Sequence, residues 1–242
     1  MSRTPLADAH DEALALLGEA ERREVTLRAV GGLAIHLACP SASRPPLQRA
    51  YKDIDLVGLS SERARIEELL GDFGYSADAQ FNLLSAGSQL YFRDEANDRP
   101  LDVFLDRMQM CHRLDLEERL PLAPLTLTPT DLLLSKLQVF ETNERDLKDA
   151  AALLLDCEVD DEVIARQLAA DWGWWRTVTE VLGKVEAFVG ELELDERERL
   201  LARIATLRER IEAEPKGRKW KLRARVGDRV RWYELPEDDH AD

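Results

Sequence analysis

The sequence predicts an α+β fold, with a mixed sheet and flanking helices followed by a helical C-terminal region. Short apolar or alternating runs, which are typical of strands, are confined to the first half of the 242 residues. From about residue 127 to residue 212 the apolar positions follow a helical period. Residues 219–226 then alternate cationic and apolar side chains, and a Gly227-Asp228 turn leads to a return strand over 229–233, which predicts a short basic β-hairpin tail. These three patterns together favour separate sheet-containing and helical regions.

The same changes of pattern suggest where the domains end. We expect a sheet-containing domain over residues 1–125 and a helical domain over residues 126–212. A tail over residues 213–242 would carry the basic hairpin and an acidic end.

Local signals predict the individual elements of the first domain. An amphipathic helix is expected over 8–23, and a short strand over 26–30 is ended by Gly31-Gly32. Residues 53–57 alternate polar and apolar side chains, as a strand with one wet face does. Strands over 88–93 and 101–106 should pair as a hairpin.

In the helical domain, helices are predicted over 130–141, 144–156, 160–171, 173–190 and 195–212.

Composition and charge exclude several classes of protein. A formal net charge of −15 argues against a protein that coats nucleic acid over its whole surface. No apolar run approaches the ~18–20 residues that span a bilayer, so we expect no membrane partner. The N-terminus has no apolar segment of the kind found in signal peptides. Cys39, Cys111 and Cys157 are far apart and in no CxxC pair, which favours a reduced, cytoplasmic setting with inert thiols.

The basic tail is electrostatically distinct from the remainder of the chain. Residues 216–231 contain eight Lys or Arg and one Asp. Such a cationic segment could hold RNA phosphates. It could equally dock on the acidic remainder of this protein and bury Trp220 and Trp232 there. The sequence leaves both alternatives open.

Three aspartates form the most informative constellation. Asp53 and Asp55 are two apart on a predicted strand, so they share a face with Cα atoms roughly 6.5–7 Å apart. Two like charges at this distance destabilise the fold unless a cation lies between them. Asp102, on a later strand, could complete a site for Mg²⁺ or Mn²⁺. The structural alternative is a solvated edge strand.

The Gly31-Gly32 pair lies between a predicted strand and a short helix. Glycine allows a phosphate to approach the backbone closely, and the first N–H groups of a helix favour an anion. The chain therefore has the order strand, Gly-Gly, helix, loop, DxD strand, helix and hairpin with a third aspartate.

This order resembles the nucleotidyltransferase superfamily, which has the polymerase-β-like fold. Its hallmarks are a Gly-Gly or Gly-Ser turn, a Dx[DE] strand and a third acid on a later strand. A closer resemblance is to the AbiEii-like branch, which includes toxins of toxin–antitoxin pairs. That likeness is carried by Gly31-Gly32-Leu33-Ala34 and by Arg49-Ala-Tyr-Lys-Asp-Ile-Asp55, with Tyr51 where the branch often has Thr.

The helical region carries the likeness further. The branch has a Pro-x-Asp-Leu-Leu…Lys-Leu helix followed by RDxxD. Here the corresponding residues are Pro129-Thr-Asp-Leu-Leu-Leu-Ser-Lys136 and Arg145-Asp146-Leu-Lys-Asp149. The resemblance covers roughly residues 25–156.

The resemblance implies transfer of a nucleoside monophosphate from an NTP to a hydroxyl of RNA (such as tRNA), a protein or a small molecule. Asp53, Asp55 and Asp102 would bind the metal, and Asp102 would also help activate the acceptor hydroxyl. Gly31 and Gly32 would cradle phosphate. Lys136 would stabilise charge on the leaving group. The remaining nucleotide-binding candidates are Arg49, Asp146 and Asp149.

Other interpretations compete with this one. Lys136, Asp146 and Asp149 could instead form a salt-bridge network between two packed helices, because residues three apart share a helix face. The whole protein could be a catalytically silent binding module for a protein, such as an antitoxin, or for RNA. Phosphoryl transfer on the same scaffold is a third possibility.

Several residues are weaker candidates. His36 lies in an apolar segment and is better interpreted as a packed histidine. Asp106 competes weakly with Asp102 for the role of third acid. The dense tryptophans at 172, 174 and 175 are typical of packing between helices.

Overall fold

A computed structural model describes residues 3–85 and 87–234, and the chain folds as two compact units. The first unit contains the chain up to Ala38 together with Ala50–Met108 and Leu114–Thr128. The second takes Cys39–Arg49, Gln109–Arg113 and the chain from Pro129 onward. The predicted α+β class is confirmed, while the predicted domain boundaries stay a prediction.

The first unit is built on a five-stranded mixed sheet. The strand order is β1-β2-β5-β4-β3; β2 and β5 are parallel, and every other neighbouring pair is antiparallel. Its elements are α1 (Ala9–Arg22), β1 (Leu27–Val30), α2 (Gly31–Ala38), β2 (Ile54–Gly58), α3 (Arg63–Asp72), β3 (Ser76–Ala77), α4 (Ala79–Leu84), β4 (Gln89–Asp94) and β5 (Arg99–Leu105).

The predicted strands and the β4–β5 hairpin are confirmed, with ends shifted by one or two residues. Strand β2 differs from the expected pattern of one wet face, because Leu56, Val57 and Gly58 are all buried. The strand is interior to the sheet, with β1 and β5 on its edges and helix α2 packed against it. Elements β3 and α4 are too short to leave a periodic signal in the sequence.

Strands β6 (Arg107–Gln109) and β7 (Arg113–Asp115) form a separate two-stranded sheet. The second unit is mainly helical. Its helices are α5 (Pro129–Leu137), α6 (Glu144–Asp156), α7 (Asp161–Ala170), α8 (Trp172–Glu191), α9 (Arg197–Ala213) and α10 (Arg218–Val226).

Side-chain caps explain where three of these helices begin. Asn143 accepts the backbone N–H groups of Arg145 and Asp146. Asp160 and Asp171 cap α7 and α8 in the same manner. Within residues 3–85 and 87–234, none of the helices is long and apolar enough to cross a bilayer.

The predicted basic hairpin is wrong, because residues 218–226 form helix α10. Period-2 alternation would place Trp220, Leu222 and Val226 on one buried face, yet Leu222 is 59% exposed and Val226 is 41% exposed. The half-buried Trp220 and Ala224 are instead four residues apart, as on one face of a helix. Lys, Arg, Leu and Ala are also good helix formers. Residues 235–242 of the predicted acidic end lie outside the described residues.

The described part of the tail packs on the remainder of the second unit, as the docking alternative requires. The ring of Trp232 contacts those of Trp172 at 5.9 Å and Phe140 at 5.4 Å, and its Nε1 donates to Thr177 Oγ1 at 3.1 Å. The guanidinium of Arg223 lies 4.5 Å from the ring centroid of Trp172. Aromatic and cation–π contacts therefore hold this segment in place.

Replacing Trp232 by alanine should lower the free energy of unfolding by about 2 kcal/mol, less than the ~3–5 kcal/mol typical of a fully buried aromatic. The side chain is half-buried and loses its ring contacts and one hydrogen bond. Urea unfolding measures the change. Leu222→Ala on exposed α10 is the matched control and should leave the midpoint unchanged. Equal midpoints for both variants would contradict the docked arrangement.

The buried His112 should make stability depend on pH. It is 7% exposed, its Nε2 lies 2.8 Å from Thr177 Oγ1, and burial lowers its pKa to about 4, although Asp171 acts in the opposite direction. Between pH 6.5 and 4 the unfolded chain binds a proton that the folded protein does not, so stability falls as pH falls. We expect a loss of about 3 kcal/mol over this window. The measurement is the wild-type unfolding free energy minus that of His112→Gln, and a difference independent of pH would contradict it.

Candidate active site

Asp55 and Asp102 are brought together by strand pairing. They are direct register partners on the parallel strands β2 and β5, where neighbouring strands lie about 4.8 Å apart. The side chain of Asp102 accepts a hydrogen bond from Gln89 Nε2 at 2.7 Å. Asp53 is exposed and lies one residue before β2. The two aspartates that the sequence placed on different strands are therefore immediate neighbours.

Gly31 is required at its position by two independent features. Its φ of +70° lies in the left-handed region, which side chains disfavour. A Cβ atom at this residue would lie 2.0 Å from Asp55 Oδ2. Strand pairing is the cause, because Val30, the residue before Gly31, is the register partner of Asp55. The Gly-Gly and DxD motifs thus belong to one local structure.

The carboxylate of Asp55 also lies at the N-terminus of helix α2, which begins at Gly31. The first N–H groups of a helix have no partner within the helix and carry partial positive charge. An anion is stabilised there, and Gly32 lies in the same first turn. This end of α2 is where the Gly31-Gly32 motif predicts a bound phosphate.

The donors present suit a hard divalent cation. Asp53, Asp55 and Asp102 offer carboxylate oxygens, which Mg²⁺ and Mn²⁺ prefer. In the described ranges 3–85 and 87–234, their oxygens do not form a group of ligand atoms within 4.8 Å of one another. A bound cation would therefore have to draw these carboxylates closer together.

A different group in the described part of the chain does meet that distance. Asp8, His10 and Asp11 have ligand atoms within 4.8 Å of one another at the start of α1. Asp8 is the N-cap of this helix and accepts the backbone N–H of Asp11 at 3.0 Å. Asp8 therefore has a capping role.

The second unit gathers the other four predicted residues into one ion-pair cluster. Arg49 donates two hydrogen bonds to Asp149, from Nε at 2.8 Å and from Nη2 at 2.6 Å. Lys136 Nζ lies 2.9 Å from Asp149 Oδ2 and 3.2 Å from Asp146 Oδ1. Asp149 is 1% exposed. Helices α5 and α6 are thus joined by the salt-bridge network proposed as the structural alternative.

The electrostatics of this cluster keep Lys136 protonated. Burial acts to lower the pKa of Lys136, but the nearby carboxylates of Asp149 and Asp146 outweigh it, so the pKa is raised. Asp146 has a second role, because its Oδ2 accepts the backbone N–H of Asn143 in the capping box of α6. A nucleotide-binding role for these four residues stays a prediction.

A cavity of about 590 Å³ opens beside the cluster in the same unit. Its lining includes Arg49, Arg145 and Lys148, and the acidic Glu144 pairs with Lys148 at 2.8 Å. The cationic lining suits an anionic group. Lys148 was not among the residues predicted for the site, because a lysine on a helix carries no signal of its own in one sequence.

The weaker candidates pack against other side chains or stabilise turns. His36 is half-buried, and its ring contacts those of Tyr51 at 4.8 Å and His10 at 5.6 Å. Asp106 accepts the backbone N–H of Ser60 at 2.8 Å and so stabilises the turn that follows β2. Trp172 and Trp174 are buried, as expected for helix packing.

No protein-family model matches this chain, and no curated protein matches it. Among solved structures, it is similar to a lincosamide antibiotic adenylyltransferase with lincomycin bound. That similarity has a TM-score of 0.39 and 16% identity, covering 59% of this chain and 94% of the other.

Two further solved structures are similar at the same level. The antibiotic-resistance factor ANT(2'')-Ia has a TM-score of 0.38 and 12% identity, covering 83% of this chain and 93% of its own. An antigenic nucleotidyltransferase-like protein from Paracoccidioides brasiliensis has a TM-score of 0.39 and 14% identity, covering 88% and 96%. The AbiEii-like branch stays a prediction.

Proposed function

We propose that this protein is a nucleotidyltransferase that depends on Mg²⁺ or Mn²⁺. It would transfer a nucleoside monophosphate from an NTP to a hydroxyl group and release pyrophosphate. The observation that carries this proposal is the packing of Gly31 against the carboxylate of Asp55, which in turn pairs in register with Asp102. The Gly-Gly turn, the DxD strand and the strand with the third aspartate thereby meet at the N-terminus of helix α2.

Each of these residues has a role that its position suits. Asp53, Asp55 and Asp102 would hold the cation, which when bound neutralises charge on the triphosphate. Asp102, whose carboxylate accepts a hydrogen bond from Gln89, would accept the proton of the acceptor hydroxyl. The N–H groups at the start of α2 would bind phosphate beside Gly32.

The acceptor and the biological setting are proposed from the resemblance alone. An RNA such as tRNA, a protein or a small molecule would supply the hydroxyl. A role as the toxin of a toxin–antitoxin pair, with an antitoxin protein as partner, follows from the AbiEii-like motifs. The location proposed is the cytoplasm, because all three cysteines, Cys39, Cys111 and Cys157, are thiols and not disulfides.

Purified protein incubated with the four labelled NTPs, Mg²⁺ and cell extract should transfer the α-phosphate label to an acceptor. The variant with Asp53→Asn and Asp55→Asn should transfer no label. Addition of Mg²⁺ or Mn²⁺ should raise the melting temperature of the wild type by mass action but not that of the double variant. Glu95→Gln, in the exposed turn between β4 and β5, is the control and should behave as wild type.

Each alternative has its own outcome in this experiment. Transfer of γ-label instead of α-label would indicate phosphoryl transfer. No label transfer, together with tight binding of a partner from the extract, would favour the silent binding module. An unchanged metal response in the double variant would contradict the metal assignment even if transfer occurs.

A further inference from the structure

Two cysteines that are far apart in the chain meet in the second unit. The Sγ atoms of Cys39 and Cys157 lie 3.5 Å apart, across 118 residues of sequence. Cys39 is fully buried at the start of segment 39–49, whereas Cys157 is partly exposed at the C-terminus of α6. Both are reduced thiols in direct contact.

Further contacts hold the two backbones together. The backbone N–H of Ser41, two residues after Cys39, donates at 2.6 Å to Oδ2 of Asp156, the residue before Cys157. Arg49, at the other end of the same segment, pairs with Asp149 on the same helix. Because a disulfide has its sulfur atoms about 2.05 Å apart, the two thiols need to approach by only about 1.5 Å. The fold has already placed them for bonding.

A small oxidant has a route to one of the two sulfurs. Cys157 lines an open cavity of about 420 Å³, together with Arg199 and Arg203. The hydrogen bond with Cys39 lowers the pKa of Cys157, although burial opposes it, whereas the same hydrogen bond and burial both raise the pKa of Cys39. Cys157 is therefore the more readily ionised thiol, and the thiolate is the form that reacts.

We propose that Cys39 and Cys157 are a redox modification site, at which a hydroperoxide converts the two thiols into an intramolecular disulfide. The thiolate of Cys157 attacks one peroxide oxygen, so that an S–O bond forms, the O–O bond breaks and an alcohol or water leaves with a proton. Cys39 then attacks that sulfur, the S–S bond forms, the S–O bond breaks, and water leaves with the Cys39 proton. The thiols lose two electrons, the peroxide gains them, and a thiol reductant reverses the change.

The disulfide would fasten segment 39–49 to helix α6. This segment carries Arg49, so oxidation ties the ion-pair partner of Asp149 covalently to the same helix. Closing so long a loop restricts the unfolded chain, which raises stability. We therefore expect the oxidised protein to melt at a higher temperature than the reduced protein. This site does not depend on the proposed transferase activity.

The test uses the full-length protein, treated with a small excess of hydrogen peroxide, then unfolded in urea and alkylated with iodoacetamide, because Cys39 and Cys111 are buried in the folded protein. The intact mass should correspond to a chain that has lost two hydrogens and gained one alkyl group. Digestion should release a peptide pair in which Cys39 is linked to Cys157. Reduction with dithiothreitol before alkylation should restore three alkylated cysteines. Cys111→Ser is the matched control, because its buried thiol lies elsewhere, and it should still give the linked peptide.

The variants separate the two steps. Cys157→Ser should react slowly and form no linked peptide, whereas Cys39→Ser should leave Cys157 to gain oxygen atoms in place of a disulfide. The wild-type result stands even if a variant folds poorly. Gain of oxygen on wild-type Cys157 without the linked peptide would overturn the proposal, as would disulfides formed only between two copies of the chain.

Discussion

Replacing Gly31 by alanine is expected to lower the free energy of unfolding by about 2–4 kcal/mol and to abolish nucleotidyl transfer. A side chain at φ +70° costs about 1–2 kcal/mol by itself. The new Cβ atom would also lie 2.0 Å from Asp55 Oδ2, so this carboxylate must leave its position beside Asp102 and the start of α2. Urea unfolding and α-label transfer measure the two effects.

The matched control is Gly18→Ala in helix α1, where a Cβ atom meets nothing within 4 Å. This change should stabilise the protein by up to about 1 kcal/mol, because alanine is the better helix former. It should leave transfer unchanged. Wild-type stability in Gly31→Ala would show that the chain does not hold Asp55 against Gly31.

Replacing Asp149 by alanine is expected to lower the free energy of unfolding by about 3–5 kcal/mol, as removal of one partner from a buried ion pair does. The carboxylate is 1% exposed and accepts from both Arg49 and Lys136. Its loss removes the two hydrogen bonds from Arg49 and the shorter contact of Lys136, while the contact of Lys136 with Asp146 remains. Equilibrium unfolding of the variant measures the change.

An exposed ion pair provides the control for this experiment. Glu162 and Arg166 are four apart on α7 and mostly in solvent, and such pairs contribute little to stability. Glu162→Ala should therefore unfold at nearly the wild-type denaturant concentration. If Asp149→Ala were no more destabilising than Glu162→Ala, the cluster would not be the buried network that joins α5 and α6.

The local elements of this fold were largely determined by the sequence itself. Helices α5 to α9 could be predicted because their apolar period, and capping side chains such as Asn143, Asp160 and Asp171, act within a few residues. The strands β1, β2, β4 and β5 follow from short apolar runs in the same manner. Where a segment satisfies two periods at once, as in residues 219–226, tertiary contacts decide, and packing of Trp220 produced helix α10.

The candidate active site depends on the tertiary structure more than the helices and strands do. The sequence identified Gly31, Asp53, Asp55 and Asp102 as candidates, because a Gly-Gly turn, a DxD strand and a later aspartate follow one another in an informative order. Only the tertiary structure placed Asp55 beside both Gly31 and Asp102, since strand order and register determine which distant residues face each other.

The same holds for the ion pair of Arg49 with Asp149 and for the thiol contact of Cys39 with Cys157. These partners are 100 and 118 residues apart. No short-range preference of the backbone connects them, and their contact depends on how segment 39–49 packs against helix α6. The sequence therefore identified which residues could take part in binding or catalysis, whereas the packing of the folded chain determined which of them are in contact.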